Sequence, residues 1–364
     1  MILDAPWIHQ GTTWRNIHTG ATLPINPPGT DPDPPIEPPI EPPGETPVAP
    51  ASWQTAIDAH DVRQVALWYD AHTGISGINP DNPDDLPLTE ADLEATTSGI
   101  DSTHDGQVIE GKITSRIRIR HNNVTVRRCL IRPSLTGLYA IHWDPVYGAT
   151  FTGARVEFCT IEPPEGSHAA PAMMRGNLTA ETAMTFRHNL IVNTTTGGRF
   201  ENRIVAEYNY YRDFQHPDGG HASGTRFMGD HGTARRNLIT DASSSNLGMY
   251  LDQGGMNYVT YEENILGGTI DMGNGRVISP LASPSYAMSL GMGGLQLEPH
   301  GLRVINNWFY GGYQYGLTAG DLPWGQFGNV RSGNRALQDF VIQPDSGSNR
   351  REYTAGELLP FNDE

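Results

Sequence analysis

Lysine is almost missing from this chain: of 24 basic side chains only Lys112 is a lysine and the rest are arginines. Lysine codons are AT-rich, so the skew points to a GC-rich genome. Cysteine is as scarce, and two thiols, Cys129 and Cys159, cannot build a disulfide framework. No apolar run approaches the roughly 18 residues that a transmembrane helix needs, so no membrane span is expected. The opening MILDAPWIHQGTTW lacks the basic and apolar regions of a secretory signal, and folding in the cytoplasm of the producing cell is the expectation. Positive charge is short too. With 24 basic against 41 acidic side chains the formal charge is -17, which opposes nonspecific binding to nucleic acid or to an anionic membrane. Local basic patches could still hold an acidic glycan.

What the chain does have is repetition. The eight residues from Met184 to Ile191, MTFRHNLI, recur as VTVRRCLI from Val124, ARVEFCTI from Ala154, IVAEYNYY from Ile204, GTARRNLI from Gly232, VTYEENIL from Val259 and LRVINNWF from Leu302. The first and third positions are apolar or small, the alternation of a strand. The eighth position is apolar again, although strict alternation would place it outside. The parity therefore slips once, and a bend is expected around the fifth and sixth positions. At that bend the sixth position reads Cys129, Cys159, Asn189, Asn209, Asn237, Asn264, Asn307. Small polar side chains at an inward corner can pair from copy to copy as a stacked ladder, with the cysteines as reduced, buried replacements for asparagine. The fourth position reads Arg127, Glu157, Arg187, Glu207, Arg235, Glu262, then Ile305. Stacked one strand spacing apart, about 4.8 Å, six exposed charges would alternate in sign and penalise a register slip. His188, in the fifth position, reads as a variable outward residue.

The Asn/Cys column advances by 30, 30, 20, 28, 27 and 43 residues, steps that suit one coil of a solenoid with variable loops. A weaker copy, NVRSGNRA, places Asn334 27 residues after Asn307. The pattern resembles the right-handed parallel β-helix of the pectate-lyase and phage tail-spike type, an all-β solenoid, over about residues 102 to 337. The stretch DGQVIEGKITSRIRIRHNNVTVRRCLI is also similar to the opening coils of minor tail proteins of phages that infect actinobacteria. The resemblance implies a virion location, a homotrimer, attachment to other tail proteins through the N-terminal arm, and contact with host-surface polysaccharide.

Five segments follow: a docking peptide (1–25), a proline-rich stalk (26–50), a helical cap with lead-in loops (51–101), the β-helix (102–345) and a tail (346–364). From Pro24 to Pro50, 12 of 27 residues are proline, which favours a stiff polyproline II spacer. Ser52 to Tyr69 has a serine N-cap and helical apolar spacing, so one amphipathic helix is expected, covering the open end of the solenoid core. The excess between Leu266 and Leu302, including MSLGMGGLQLEPHG, reads as a surface loop. The tail RREYTAGELLPFNDE has no coil pattern and is expected to fold back as a cap or to contact a partner.

Ionisable side chains concentrate in one segment, where His216, Asp218, His221, Arg226, Asp230 and His231 fall between Asp213 and His231. Glycan cleavage needs two carboxylates about 5 to 9.5 Å apart, or a base assisted by a cation or arginine. Asp218 and Asp230 with Arg226 and a histidine fit either need, so a polysaccharide lyase or glycoside hydrolase is the alternative to a structural, glycan-contacting protein. Ordinary turns account for the same residues. His216, His221 and His231 lack a metal-binding spacing, and neither a metal nor another cofactor is expected. Arg116, Arg118 and Arg120 alternate with isoleucines, either an anion-binding strip or a solvated strand face. Rings available for stacking on sugars include Tyr208, Tyr210 and Tyr250. The densest group is Trp308, Tyr310, Tyr313, Tyr315 and Trp324, whereas Tyr211 falls in an inward column.

Overall fold

The computed structural model describes residues 7–10, 13–16, 22–24, 48–133, 139–143, 153–163, 184–200, 203–214, 223–240, 245–250, 257–273, 275–279, 286–292, 299–311, 313, 316–319, 324–342 and 351–360. The chain divides into two compact units, Met1–Pro47 and Val48–Glu364. In the first, strands Trp7–Gln10, Thr13–Asn16 and Thr22–Pro24 form an antiparallel meander within the segment expected to dock. The proline-rich run from 25 to 47 lies outside the described residues. Among the described residues, no helix is long and apolar enough to cross a membrane.

The second unit is a parallel β-helix. Its first wall stacks nine strands, from Val108–Glu110 to Val330–Ser332, and its second stacks ten, from Glu94–Ala95 to Arg335–Ala336. The third wall has two parts. Ile100–Asp101, Ile117–Ile119 and Ile141–Trp143 form one, and Thr196–Phe200, Ser223–Phe227, Ser245–Tyr250, Tyr286–Met292 and Gly316–Ala319 form the other. All seven sequence copies stack like on like: Val126, Val156, Phe186, Ala206, Ala234, Tyr261 and Val304 are successive partners.

The bend sits where the parity slip requires it. The fifth residue of every copy is left-handed, with φ of 48° at Arg128, 52° at Phe158, 53° at His188, Tyr208 and Glu263, 50° at Arg236 and 55° at Asn306. One such residue turns the sixth side chain inward, at a backbone cost of about 1 to 2 kcal/mol per copy. The ladder offsets that cost. Asn237 Oδ1 accepts from Asn209 N (3.0 Å) and Nδ2 (2.9 Å), while Asn237 Nδ2 donates to Ala206 O (2.9 Å). The pattern holds from Asn189 through Asn307 to Asn334. Both cysteines are free and buried. The Cys159 thiol points at Val126 O (3.8 Å) and Cys129 at Ile109 O (3.6 Å), so each keeps the donor role of the amide. Burial pushes the Cys159 thiol pKa well up, which keeps it protonated.

The fourth column pairs as its alternation implies: Arg187 Nε to Glu157 (3.0 Å), Arg235 Nε to Glu207 (2.6 Å), and Arg127 Nε to Glu110 (2.7 Å), which extends the column by one coil. The glutamates are less exposed than expected, Glu157 and Glu207 keeping 12% and 11% of their side-chain surface.

The helical segment differs from expectation in two ways. It is two helices, α1 (Trp53–Asp58) and α2 (Val62–His72), broken at His60, whose φ is +50°. Ser52 caps the first through Thr55 N, as expected, and Asp61 caps the second through Arg63 N. Nor do they close the end of the solenoid. They lie lengthwise along the second wall, packing Trp53, Ala56, Ile57, Val62, Val65, Trp68 and Tyr69 against Tyr210, Leu238, Ile265 and Leu337. His60 meets Leu337 O (3.0 Å) near one end, and Arg128 binds Ile75 O and Gly77 O near the other. The segment is a strap across successive coils. Its seat is the seventh column, Leu130, Thr160, Leu190, Tyr210, Leu238, Ile265 and Trp308, which is largely apolar because it is covered.

The excess before Leu302 is in part strand and hairpin. MSLGM lies within strand Tyr286–Met292 of the third wall. Residues 293–298 of the insert lie outside the described residues, and before it an antiparallel hairpin, Ile270–Asp271 with Val277–Ile278, buries Ile270 and Ile278 against the strap. Arg276 reaches Asp70 on α2 (2.8 Å). The tail folds back: Arg351–Tyr353 pairs with Phe340–Ile342, and Leu359 N donates to Asn334 O (2.9 Å), closing the last rung of the ladder.

Candidate functional site

Left-handed residues at the bend project fifth-position side chains sideways, and in five coils these stack. Arg128 lies over the Phe158 ring (5.0 Å to its centroid), Phe158 stacks on His188 (4.8 Å), His188 on Tyr208 (5.1 Å), and Arg236 over Tyr208 (5.6 Å). His188 is therefore not an outward residue; it is 2% exposed beneath α2. Its Nδ1–H donates to His72 O (3.0 Å). Burial pulls its pKa down to about 4, so the ring is neutral near pH 7. His72 is also shifted down by burial, with Nδ1–H donating to Trp68 O (2.7 Å).

Where the strap crosses this stack it leaves a cleft of about 550 Å³. Its floor is Arg187 and His188, Glu207 and Tyr208, Arg235 and Arg236, one pair from each of three successive coils. Its rim is Ala51 to Gln54, Trp68, His72, Pro80 and Asp81. The charged groups are held in place. Arg187 donates to Glu157 (3.0 Å) and Asp81 (3.2 Å), Arg235 to Glu207 (2.6 Å), and Arg236 to Glu263 (2.6 Å) and to the Tyr208 hydroxyl. Arg236 also sits over the Trp53 ring (5.1 Å), and Trp53 Nε1 donates to the Tyr69 hydroxyl (3.2 Å). Three guanidiniums and two carboxylates in one concavity suit a ligand rich in hydroxyls. Sequence reasoning missed this site because its parts lie between residues 51 and 236 and meet only through the strap. The apolar seventh column was the signal that the wall is covered.

The site predicted between Asp213 and His231 is only partly described. His216, Asp218 and His221 lie outside the described residues, as does Tyr315. Asp230 Oδ1 accepts from Asn257 N (2.6 Å) and its carbonyl from Arg203 N (2.9 Å), which gives it the role of a corner between coils. His231 stacks on Tyr258 (4.9 Å) and donates through its backbone N–H to Asn257 O (2.8 Å). Arg226 stands apart from these turns, on strand Ser223–Phe227 of the third wall.

The aromatic group 308 to 324 does not form one platform. Tyr310 and Tyr313 are 4% and 5% exposed, and their hydroxyls donate to Gly268 O (2.8 Å) and Leu266 O (2.5 Å), so neither offers a ring face to a sugar. Trp308 is half-buried against the strap, edge-on to His60 (5.9 Å), and Trp324 packs on the core with Arg331 over its ring (5.1 Å). Tyr210 is buried under the strap, and Tyr211 is inward as expected. Arg116, Arg118 and Arg120 surround one carboxylate, Asp101, at 3.7, 3.5 and 3.8 Å. Among the described residues no group of three or more His, Cys, Asp or Glu side chains is placed to hold a metal ion.

No protein-family model matches the chain, no curated protein matches it, and no solved structure matches it.

Proposed function

We propose that this chain is a virion appendage of a phage, a minor tail, fibre or spike protein. Its N-terminal unit would join it to other tail proteins, and its β-helix would hold host-surface glycan in the cleft between strap and wall. The observation that carries the glycan half is the cleft itself, where three arginines and two carboxylates line one concavity on a wall fixed by salt bridges and stacking. Binding groups held on a rigid scaffold lose little freedom on association. The virion half rests on the resemblance of the opening coils to phage tail proteins, and the homotrimer is part of the same expectation. A depolymerase has less in its favour, since Asp230 is engaged in a turn and both cleft histidines are held neutral by burial.

The test is to incubate the purified full-length protein with polysaccharide from host envelopes, measuring retention on the polysaccharide and release of new reducing ends. Retention without release is expected. Release would favour the depolymerase, and absence of both would remove the glycan reading.

A further inference from the structure

We propose that the strap cleft selects uncharged glycan, a polysaccharide segment of neutral sugars that carries no uronate or phosphate where it touches the wall. The inference rests on the glycan reading of this cleft and deepens it by fixing the charge of what binds.

Three guanidiniums in one concavity invite the opposite choice, an acidic ligand, but their charge is already met. Arg187 donates to Glu157 (3.0 Å) and to Asp81 (3.2 Å), Arg235 to Glu207 (2.6 Å) and Arg236 to Glu263 (2.6 Å). Three positive groups thus stand against four carboxylates, which leaves one negative charge in excess. The two histidines of the cleft add nothing near pH 7, because burial lowers the pKa of both, that of His188 to about 4. The chain around them is acidic as well, with a formal charge of -17. An anionic sugar entering the cleft must displace a carboxylate from its arginine or give up water without gaining a partner, and a charge buried without a partner is costly.

What the salt bridges leave over is hydrogen-bonding capacity. A guanidinium carries five N–H donors and a carboxylate about four acceptor positions, more than these bridges use. On the floor, Arg187, Glu207 and Arg235 are direct lateral partners on three successive parallel strands. The row therefore reads donor, acceptor, donor over two strand spacings, roughly 10 Å. A hydroxyl both donates and accepts, so neighbouring hydroxyls of one neutral sugar chain can follow that alternation. An ionised carboxylate or phosphate only accepts, and it leaves Glu207 and Asp81 without a donor. An ammonium group only donates, and it faces the three guanidiniums.

The experiment titrates the full-length protein calorimetrically with three probes. These are the neutral and the acidic fractions of host-envelope polysaccharide, separated by anion exchange, and the neutral fraction after its primary hydroxyls have been oxidised to carboxylates. The wild type should bind the neutral fraction at least about tenfold more tightly than either acidic probe. Its affinity for the neutral fraction should change less than about twofold between about 0.05 and 0.5 M salt. Asp81→Asn and Glu207→Gln each remove one negative charge from the cleft, and each should narrow the preference for neutral over oxidised glycan by about fivefold, the worth of a unit charge at about 4 Å in water. Asp81 keeps 65% of its side-chain surface, so its variant preserves the test should Glu207→Gln fail to fold. The proposal is overturned if either acidic probe binds as tightly as the neutral fraction, if salt weakens neutral binding about tenfold, or if Asp81→Asn leaves the preference unchanged. Binding of the acidic fraction alone would overturn this inference and leave the glycan reading standing. Binding of none of the three would remove both.

Discussion

The second and third walls of the solenoid are laid down by the same coils, yet they end up in opposite states. Along the second wall the strap from α1 to Asp85 covers an apolar column, and two polar side chains at that contact are partnered. Arg128, 1% exposed, donates to Asp85, Ile75 O and Gly77 O, and the Tyr69 hydroxyl reaches Arg236 O. Along the third wall, Arg199 and Arg226 are direct partners of like charge, where the fourth column of the first wall alternates in sign. The pairing is regular along the second wall but shifts between Gly248 and Tyr250 on the third. Side chains of the second wall are spent on packing with the strap.

The largest effect that would break this contrast is expected at Arg128. Arg128→Ala leaves the Asp85 carboxylate and three carbonyls, of Ile75, Gly77 and Asp85, without this donor, and unfolding in denaturant should show a loss of about 3 to 5 kcal/mol. Burial raises the pKa of Asp85, but hydrogen bonds from Arg128 and Asn79 hold it below its ordinary value, so the wild-type pair is ionised. A loss under about 1 kcal/mol would show that the strap is not fastened there.

Next comes the pH response of the strapped wall. The unfolded chain binds a proton at His188 near pH 6.5, whereas the folded protein does so only at about 4. Stability should therefore fall as pH drops below about 6.5 and level off below about 4, by about 3 kcal/mol in all. In His188→Phe, which keeps the stack between Phe158 and Tyr208, this component should vanish from a plot of stability against pH. An unchanged profile would remove His188 as its source.

Tyr69→Phe removes the hydroxyl that joins Trp53 to Arg236 O and should cost about 1 to 2 kcal/mol by thermal melting. The smallest effect sharpens the contrast from the other side. Arg235→Gln deletes one half-exposed rung of the charge column and should change stability by less than about 1 kcal/mol.

The coils were legible because repetition reports packing directly. Column by column, the sequence gives the inward apolar positions, the bend and the ladder through Asn334, and each has a local physical cause. What escaped were features made by distant segments meeting. The break at His60 divides a helix whose apolar spacing runs on either side of it, and the strap's place along the wall depends on contacts from Thr160 to Leu337. Likewise His188 looked outward by parity alone, because its cover comes from residues 116 positions away. Aromatic density in sequence misled for a related reason: Tyr310 and Tyr313 are close to Trp308 in number but were drawn into different layers. Rows such as Arg199 and Arg226 are invisible until the third wall fixes which residues are neighbours.

Calorimetric titration of host-surface oligosaccharide into the wild type and Arg235→Gln tests the central claim most directly. The account predicts binding by the wild type and at least about tenfold weaker binding by the variant, whose stability is nearly unchanged. Equal affinity in the two proteins, or no binding by either, would contradict it.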